Sequence, residues 1–407
     1  MTQTVTPAIR PIHAALFLVL IGICAALHIW KLPPALPELQ HELGLDLVES
    51  GFLLSLVQFA GMILGLATGL FAERIGLRRC ILIGLGILVF ASAAGTLSQT
   101  KAMILIFRTI EGCGFLMVVM PVPALIKRLV PPHTLSRIMG LWSSYMPIGT
   151  VIILLAGSWL LSVSSWRMLW LVLAGLTLLM LWLTWRIIPA DPPSLHSHGT
   201  SGSAGAAHPP AWSMVRTTLA SRDVWMIALT FGAYTAQWVA IIGFLPTIYA
   251  LAEVSGTTAG LLTALIAGSN IIGNLGAGRL LHQGISARML LLIGFGTMMI
   301  CAFVAFGAGQ GITVQFFAIL VFSIVGGLIP ATLFVLAIDY APTPQTTSST
   351  VGCVQQCSSF GQFAGPPLVA WVVNISGGWE WTWVATGSYG LLGILMVLQI
   401  GRSRQRN

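Results

Sequence analysis

Three charged residues interrupt hydrophobic runs in which charge is costly: Lys31, Arg108 and Glu111. An ionisable group at such depth marks either a functional site or a buried pair. Arg108 and Glu111 are three residues apart, a spacing that puts them on one helix face and lets them pair. Lys31 precedes Pro37, where the first helix is expected to end, by six residues, so it sits roughly 9 Å inside that end. Arg108 lies at a similar depth, seven residues past Lys101. Two cations at one level could line one cavity. The plainer readings are that Arg108 and Glu111 hold a bundle together and that Lys31 snorkels to the headgroups. His28 lies one turn deeper than Lys31 and is of the type that titrates near neutrality. Two cations against one acid leave one positive charge, which favours an anionic or neutral polar partner over a cation. Glu111 and His28 are the groups able to carry a proton.

Neutral polar residues extend this set. Gln237 and Trp238 occupy the matching places in the second half of the chain. Gln58, Asn270, Asn274, Tyr145, Gln355 and Gln356 lie in other apolar runs. Any one of them is most simply a helix–helix hydrogen bond. Together they describe a small polar site walled by Trp30, Trp142, Tyr145 and Trp238. No ATP-binding motif or catalytic constellation is present, so no enzyme is expected. Cys353 and Cys357 share a helix face, and His196 and His198 flank one residue. They read as small buried thiols and solvated histidines, so no metal or other cofactor is expected.

The elements that position these residues are long apolar helices. Of 407 residues, 56% are hydrophobic and 7% charged, with mean hydropathy +0.91. A soluble chain carries about 25% charged residues. The sequence therefore predicts an all-α membrane protein with twelve transmembrane helices. These run at about 12–36, 50–71, 80–97, 102–126, 138–161, 168–188, 223–251, 257–281, 288–308, 313–339, 348–375 and 379–400. The first is too long for a signal-peptide core and is read as retained. An acidic loop with Glu38, Glu42, Asp46 and Glu49 should follow it. Residues 189–222 are rich in proline, serine and glycine at their start and read as a cytoplasmic linker, with a short surface helix from Trp212 to Arg222. Ser221 is placed to cap the seventh helix.

Arg10, Arg74, Arg78, Arg79, Lys127, Arg128, Arg137 and most later cations fall at one membrane face, against Lys31, Lys101 and Arg167 toward the other. That asymmetry predicts both termini in the cytoplasm and a bacterial inner-membrane location. The cations are spread between apolar runs, which argues against a nucleic-acid partner.

The chain also repeats itself. At an offset of 209 residues, Pro37 meets Pro246, Gly51 meets Gly260, Gly69 meets Gly278, Arg79 meets Arg288 and Pro121 meets Pro330. With short insertions, Gly149 meets Gly361 and Trp166 meets Trp379. Six helices per half keep the same orientation, so the halves relate by an axis along the membrane normal. The expected units are bundles at 1–188 and 223–407.

Gly69-Leu70-Phe71-Ala72-Glu73-Arg74-Ile75-Gly76-Leu77-Arg78-Arg79 resembles the loop signature G-x-x-A-[DE]-R-x-G-x-R-R of the major facilitator superfamily. Arg108, Glu111, Gly112 and Gly114 resemble its fourth-helix motif, with Glu111 in place of the usual glutamine. Pro34-Ala35-Leu36-Pro37-Glu38-Leu39 and the stretch from Pro123 to Pro147 are similar to the cyanate/nitroimidazole-type permease branch. The chain departs from that branch at His28-Ile29-Trp30-Lys31, where Asn-Leu-Arg-Pro is usual.

The resemblance implies two pseudo-symmetric six-helix bundles, a midplane site between them and a monomer moving a small molecule by alternating access. Gly69, Glu73, Arg74, Gly76, Arg78 and Arg79 are then the expected conformational latch. In the second copy His282 and Gln283 replace the acid and the arginine. The leading expectation is proton-coupled uptake of a small organic or inorganic anion. Lys31, Arg108, His28, Trp30, Tyr145, Gln237, Trp238, Asn270 and Gln356 are the expected substrate contacts, and Glu111 or His28 the proton carrier. The alternatives are a proton-driven drug or metabolite exporter and a non-transporting sensor.

Overall fold

The protein is described by a computed structural model covering residues 11–65, 75–191, 211–343 and 346–401. All regular structure in these residues is helical. Ten columns are long and apolar enough to cross a membrane. They are α1 (Pro11–Leu43), α2 (Leu47–Gly65), α3 (Leu77–Gly95), α4 (Lys101–Leu129), α5 (Tyr145–Val163), α6 (Trp166–Ile187), α7 (Arg222–Leu251), α8 (Gly256–His282), α9 (Ala287–Gly307) and α10 (Ile312–Asp339). Two more complete the expected twelve. α11 (Thr347–Ser376) is more polar along its first half, and α12 (Thr382–Val397) has 16 residues. Exposed leucine, isoleucine, valine and phenylalanine on α3, α6, α9 and α12 mark the lipid-facing rim.

Local chemistry sets the helix starts. Asp46 and Glu49 form a reciprocal capping box at α2. Thr100 caps α4, Ser255 caps α8 and Ser286 caps α9. The Ser221 hydroxyl accepts from Val224 N at 3.5 Å, the cap expected for α7. The short linker helix, Ala211–Ala220, is present, while residues 192–210 lie outside the described set.

The first helix does not end at Pro37. It breaks at Lys31 and resumes as Leu32–Leu43, with Pro37 inside. Glu38 and Glu42 therefore lie on a helix rather than in an acidic loop. They hold the start of α6. Glu38 accepts from Trp166 N, while Glu42 accepts from the Trp166 indole and pairs with Arg167 at 2.6 Å. Lys101 pairs with Glu49 at 2.7 Å. The cations expected away from the basic end thus each have an acid beside them.

The two halves of the chain meet along α2 and α11, from Gly51 at the end opposite Arg78 and Arg79 to Gly65 against Gln356 toward the basic end. A Cβ at Gly51 would stand 2.8 Å from the Pro367 backbone, so α2 and α11 approach as closely as glycine allows. Its repeat mate Gly260 lies against the Leu154 carbonyl and Ser158 of α5. Gln356 of α11 donates to the Met62 carbonyl of α2 at 2.8 Å.

Candidate functional site

The break in α1 organises the site. Pro33 has no N–H, so the Ile29 carbonyl loses its helical donor. Arg108 of α4 supplies one: its Nη2 donates to Ile29 O at 2.5 Å. Its Nη1 donates to His28 O at 2.5 Å and to Glu111 Oε2 at 3.0 Å, and its Nε to Leu53 O of α2 at 3.3 Å. The guanidinium is 2% exposed. Its planar fork matches this set of acceptors as an ammonium could not.

Lys31, at the break itself, turns into the bundle. It is fully buried and does not reach the headgroups. Its ammonium pairs with Glu111 Oε1, donates to Ser92 Oγ of α3 at 3.0 Å and sits 4.1 Å from the Trp170 ring centroid of α6. Glu111 thus binds both cations, and the cluster keeps one positive charge.

His28 stands behind Glu111. Its Nε2 lies 2.7 Å from Thr177 Oγ1, and Thr177 directs its own hydrogen to Leu173 O at 2.7 Å. His28 Nε2 is therefore the donor, which leaves Nδ1 bare. Nδ1 has no hydrogen-bond partner and faces Glu111 Oε1 at 3.7 Å. A proton arriving there would sit between imidazole and carboxylate.

On the other side of α1 lies a small void of about 10 Å³, room for one water. It is lined by Ile29, Trp30, Pro33, Leu54, Val57 and Gln58 of one half and Val239, Gly243 and Gln362 of the other. Trp30 meets Trp238 edge to face with centroids 5.5 Å apart. The Trp30 indole N–H is buried with no acceptor. Lys31 and Arg108 do not line this void; they lie behind it, joined to it through Ile29 and Trp30.

The remaining expected residues separate. Trp238 donates to Ser323 Oγ at 3.2 Å, and Asn270 donates to Tyr234 Oη and Ser323 O within the second half. Tyr145 stacks on Trp142 at 4.4 Å. Gln356 ties the halves together. Gln237, the repeat mate of His28, is fully buried with neither amide atom bonded. Sequence reasoning did not single out Ser92, Trp170, Thr177 or Gln362. The repeat gave no cue to them, because Cys301 stands where Ser92 has its mate and Ala240 where Lys31 does.

Of the expected latch, Gly69, Glu73 and Arg74 lie outside the described residues. The rest is engaged by the chain beyond α6. Asp191 accepts from Arg78 N and Arg79 N, each at 3.1 Å, and so caps α3. Arg78 Nη2 donates to Trp185 O at 2.6 Å. Gly76 has φ +100°, and a Cβ there would overlap the Asp191 carboxylate, so glycine is required twice over.

The sequence profile of the Major Facilitator Superfamily matches residues 18–355 and 228–406. The benzoate transport protein of Acinetobacter baylyi is 29% identical over 160 residues, covering 38% of this chain and 34% of that protein. The uncharacterized transporter YebQ of Escherichia coli is 27% identical over 157 residues, 39% of this chain and 34% of its own length. An uncharacterized MFS-type transporter of Mycobacterium tuberculosis is 29% identical over 134 residues, 33% of this chain and 19% of its own. The chain thus matches about a third or less of the length of these curated relatives. The crystal structure of a D-xylose-proton symporter superposes with TM-score 0.73 at 18% identity, over 96% of this chain and 97% of that one. A bacterial homologue of the lysosomal transporter Spinster, inward-facing and occupied, gives 0.73 at 15% identity, over 96% and 94%.

Proposed function

This chain belongs to the major facilitator superfamily, and on that premise we propose that it carries a small organic anion across the bacterial plasma membrane together with a proton. The observation that carries the reading is the Trp30 indole. Its buried N–H lacks an acceptor, and it lines the void between the halves beside Gln58. An unpaired buried donor is costly, and an anion's oxygen would satisfy it. The charge cluster stands directly behind Trp30 with one net positive charge, so its field favours an anion there. The benzoate transporter among the relatives fits this class, an aromatic carboxylate against tryptophan walls.

Proton and anion would bind cooperatively. A proton on His28 Nδ1 raises the cluster's positive charge by one. That strengthens anion binding in the void, and the anion in turn favours the proton. His28 and Glu111 are the proton-carrying pair. Lys31 and Arg108 act on the substrate through their charge, and Val239, Gly243 and Gln362 form the second wall, with Trp238 packed against Trp30.

The void holds about one water, so it is a closed site. For uptake, substrate enters when the bundles at 1–188 and 223–407 rock apart at the end opposite the basic one, and it leaves when they part at the basic end, taken to be cytoplasmic together with both termini. One monomer suffices for this motion. The test is uptake of labelled benzoate and other small carboxylates into proteoliposomes with an imposed pH gradient. Saturable uptake that collapses with the gradient supports the reading; uptake confined to lipophilic cations removes it.

A further inference from the structure

A second cavity lies at the basic end of the second half, between α9, α10 and α12. It measures about 250 Å³ and is lined by Ala287, Arg288, Leu291, Leu336, Tyr340, Val397 and Ile400. It is far larger than the void at Trp30 and shares no residue with it.

The repeat shows what occupies the corresponding place in the first half. Arg288 is the mate of Arg79, and Ala287 of Arg78. In the first half the Arg78 and Arg79 amides hold the Asp191 carboxylate, supplied by the chain just past α6. At the offset that pairs Trp166 with Trp379, the residue matching Asp191 is Arg404. At the matching sequence position the second half carries a cation rather than an acid. The place itself is a cavity with an exposed cation, Arg288.

We propose that this cavity binds an anionic phospholipid. The headgroup phosphate sits at Arg288, and an acyl chain runs along Leu291, Leu336, Val397 and Ile400. Apart from Arg288 and Tyr340 the walls are apolar, which suits a lipid with its headgroup at the cation better than a free phosphate. The charge is complementary: Arg288 makes no ion pair among the described residues, and Arg402, Arg404 and Arg406 follow Gly401 in the sequence. A basic pocket between transmembrane helices is a favourable seat for an anionic headgroup. The acids at this end are Asp223, whose carboxylate accepts from Gly401 N at 3.0 Å, and Asp339, exposed at the end of α10. Neither lines the cavity.

The experiment is native mass spectrometry of the delipidated full-length protein with phosphatidylglycerol or phosphatidylcholine. The expected result is preferential retention of phosphatidylglycerol, with a loss of about five-fold in Arg288→Gln, the weight of one cation near an anionic lipid. Leu291→Trp, which fills the cavity and keeps the charge, should also lose the lipid. Arg279→Gln, a cation at the same end outside the cavity, should not. Equal retention of both lipids overturns the proposal, as does a phosphatidylglycerol preference untouched by both cavity variants. Thermal stabilisation by inorganic phosphate equal to that by phosphatidylglycerol would overturn the lipid assignment.

Discussion

Trp30 and Trp238 face each other across the boundary between the halves, rings 83° apart in plane and 5.5 Å apart in centroid. One ring has its N–H satisfied by Ser323, and the other has a buried N–H with no acceptor. Trp30→Phe keeps an aromatic edge and removes only the donor. A hydrogen bond to a charged group contributes about 1.5–3 kcal/mol, so anion affinity should fall by one to two orders of magnitude with little change in melting temperature. Trp238→Phe should leave affinity closer to wild type. Calorimetric titration of both variants checks the contrast.

Glu111→Gln leaves Lys31 and Arg108 without their shared carboxylate. Gradient-driven uptake should be lost while substrate exchange across proteoliposomes persists. Stability should fall by about 3–5 kcal/mol, because two buried cations remain. The double variant Lys31→Met with Glu111→Leu should recover much of that stability and none of the coupling. Recovery of gradient-driven uptake in it would remove the cluster from the proton path.

Arg108→Lys keeps the charge and loses the fork. The carbonyls of His28, Ile29 and Leu53 cannot all be reached by one ammonium. An unsatisfied buried acceptor costs about 1–3 kcal/mol, so this conservative change should be strongly destabilising. A shift in denaturant midpoint measured in detergent tests it; a near-wild-type midpoint would mean that water replaces the guanidinium.

Asp191→Ala removes the cap of α3 and should cost about 1 kcal/mol, and Asp191→Asn less. Gly76→Ala should cost more than either, since φ +100° and the Asp191 carboxylate both oppose a side chain. Thermal melts of the three variants give the order.

Gly51→Leu and Gly260→Leu each insert a side chain where the halves touch. Each should hold that end open and raise the labelling of cysteines placed on the Leu54 and Gly243 faces by membrane-impermeant reagents. Unchanged labelling would mean that the end opens in the resting protein already.

The all-helical membrane class, the Ser221 cap and the Arg108–Glu111 pair were legible in the sequence because each derives from spacing along one helix or from long apolar runs. The extension of α1 past Pro37 was not. It depends on Glu38 and Glu42 meeting Trp166 and Arg167, residues more than a hundred positions away. The direction of Lys31 was also hidden. A break at Leu32-Pro33-Pro34 rotates the second segment of α1 against the first, and depth alone cannot say which side of the helix the ammonium takes. The two cations were expected to line a cavity directly; they turn inward, and the neutral Trp30, Gln58 and Gln362 line the void instead.

Arg108 bridges three helices through main-chain oxygens, and this has a mechanical meaning. The α1 break at Lys31 looks like a hinge, yet bending it would strip donors from two buried carbonyls at once, and α2 would lose a third. Such groups in an apolar interior cost several kcal/mol to bare. The guanidinium is therefore a strut: it stiffens α1 at its break and ties that break to α2 and α4.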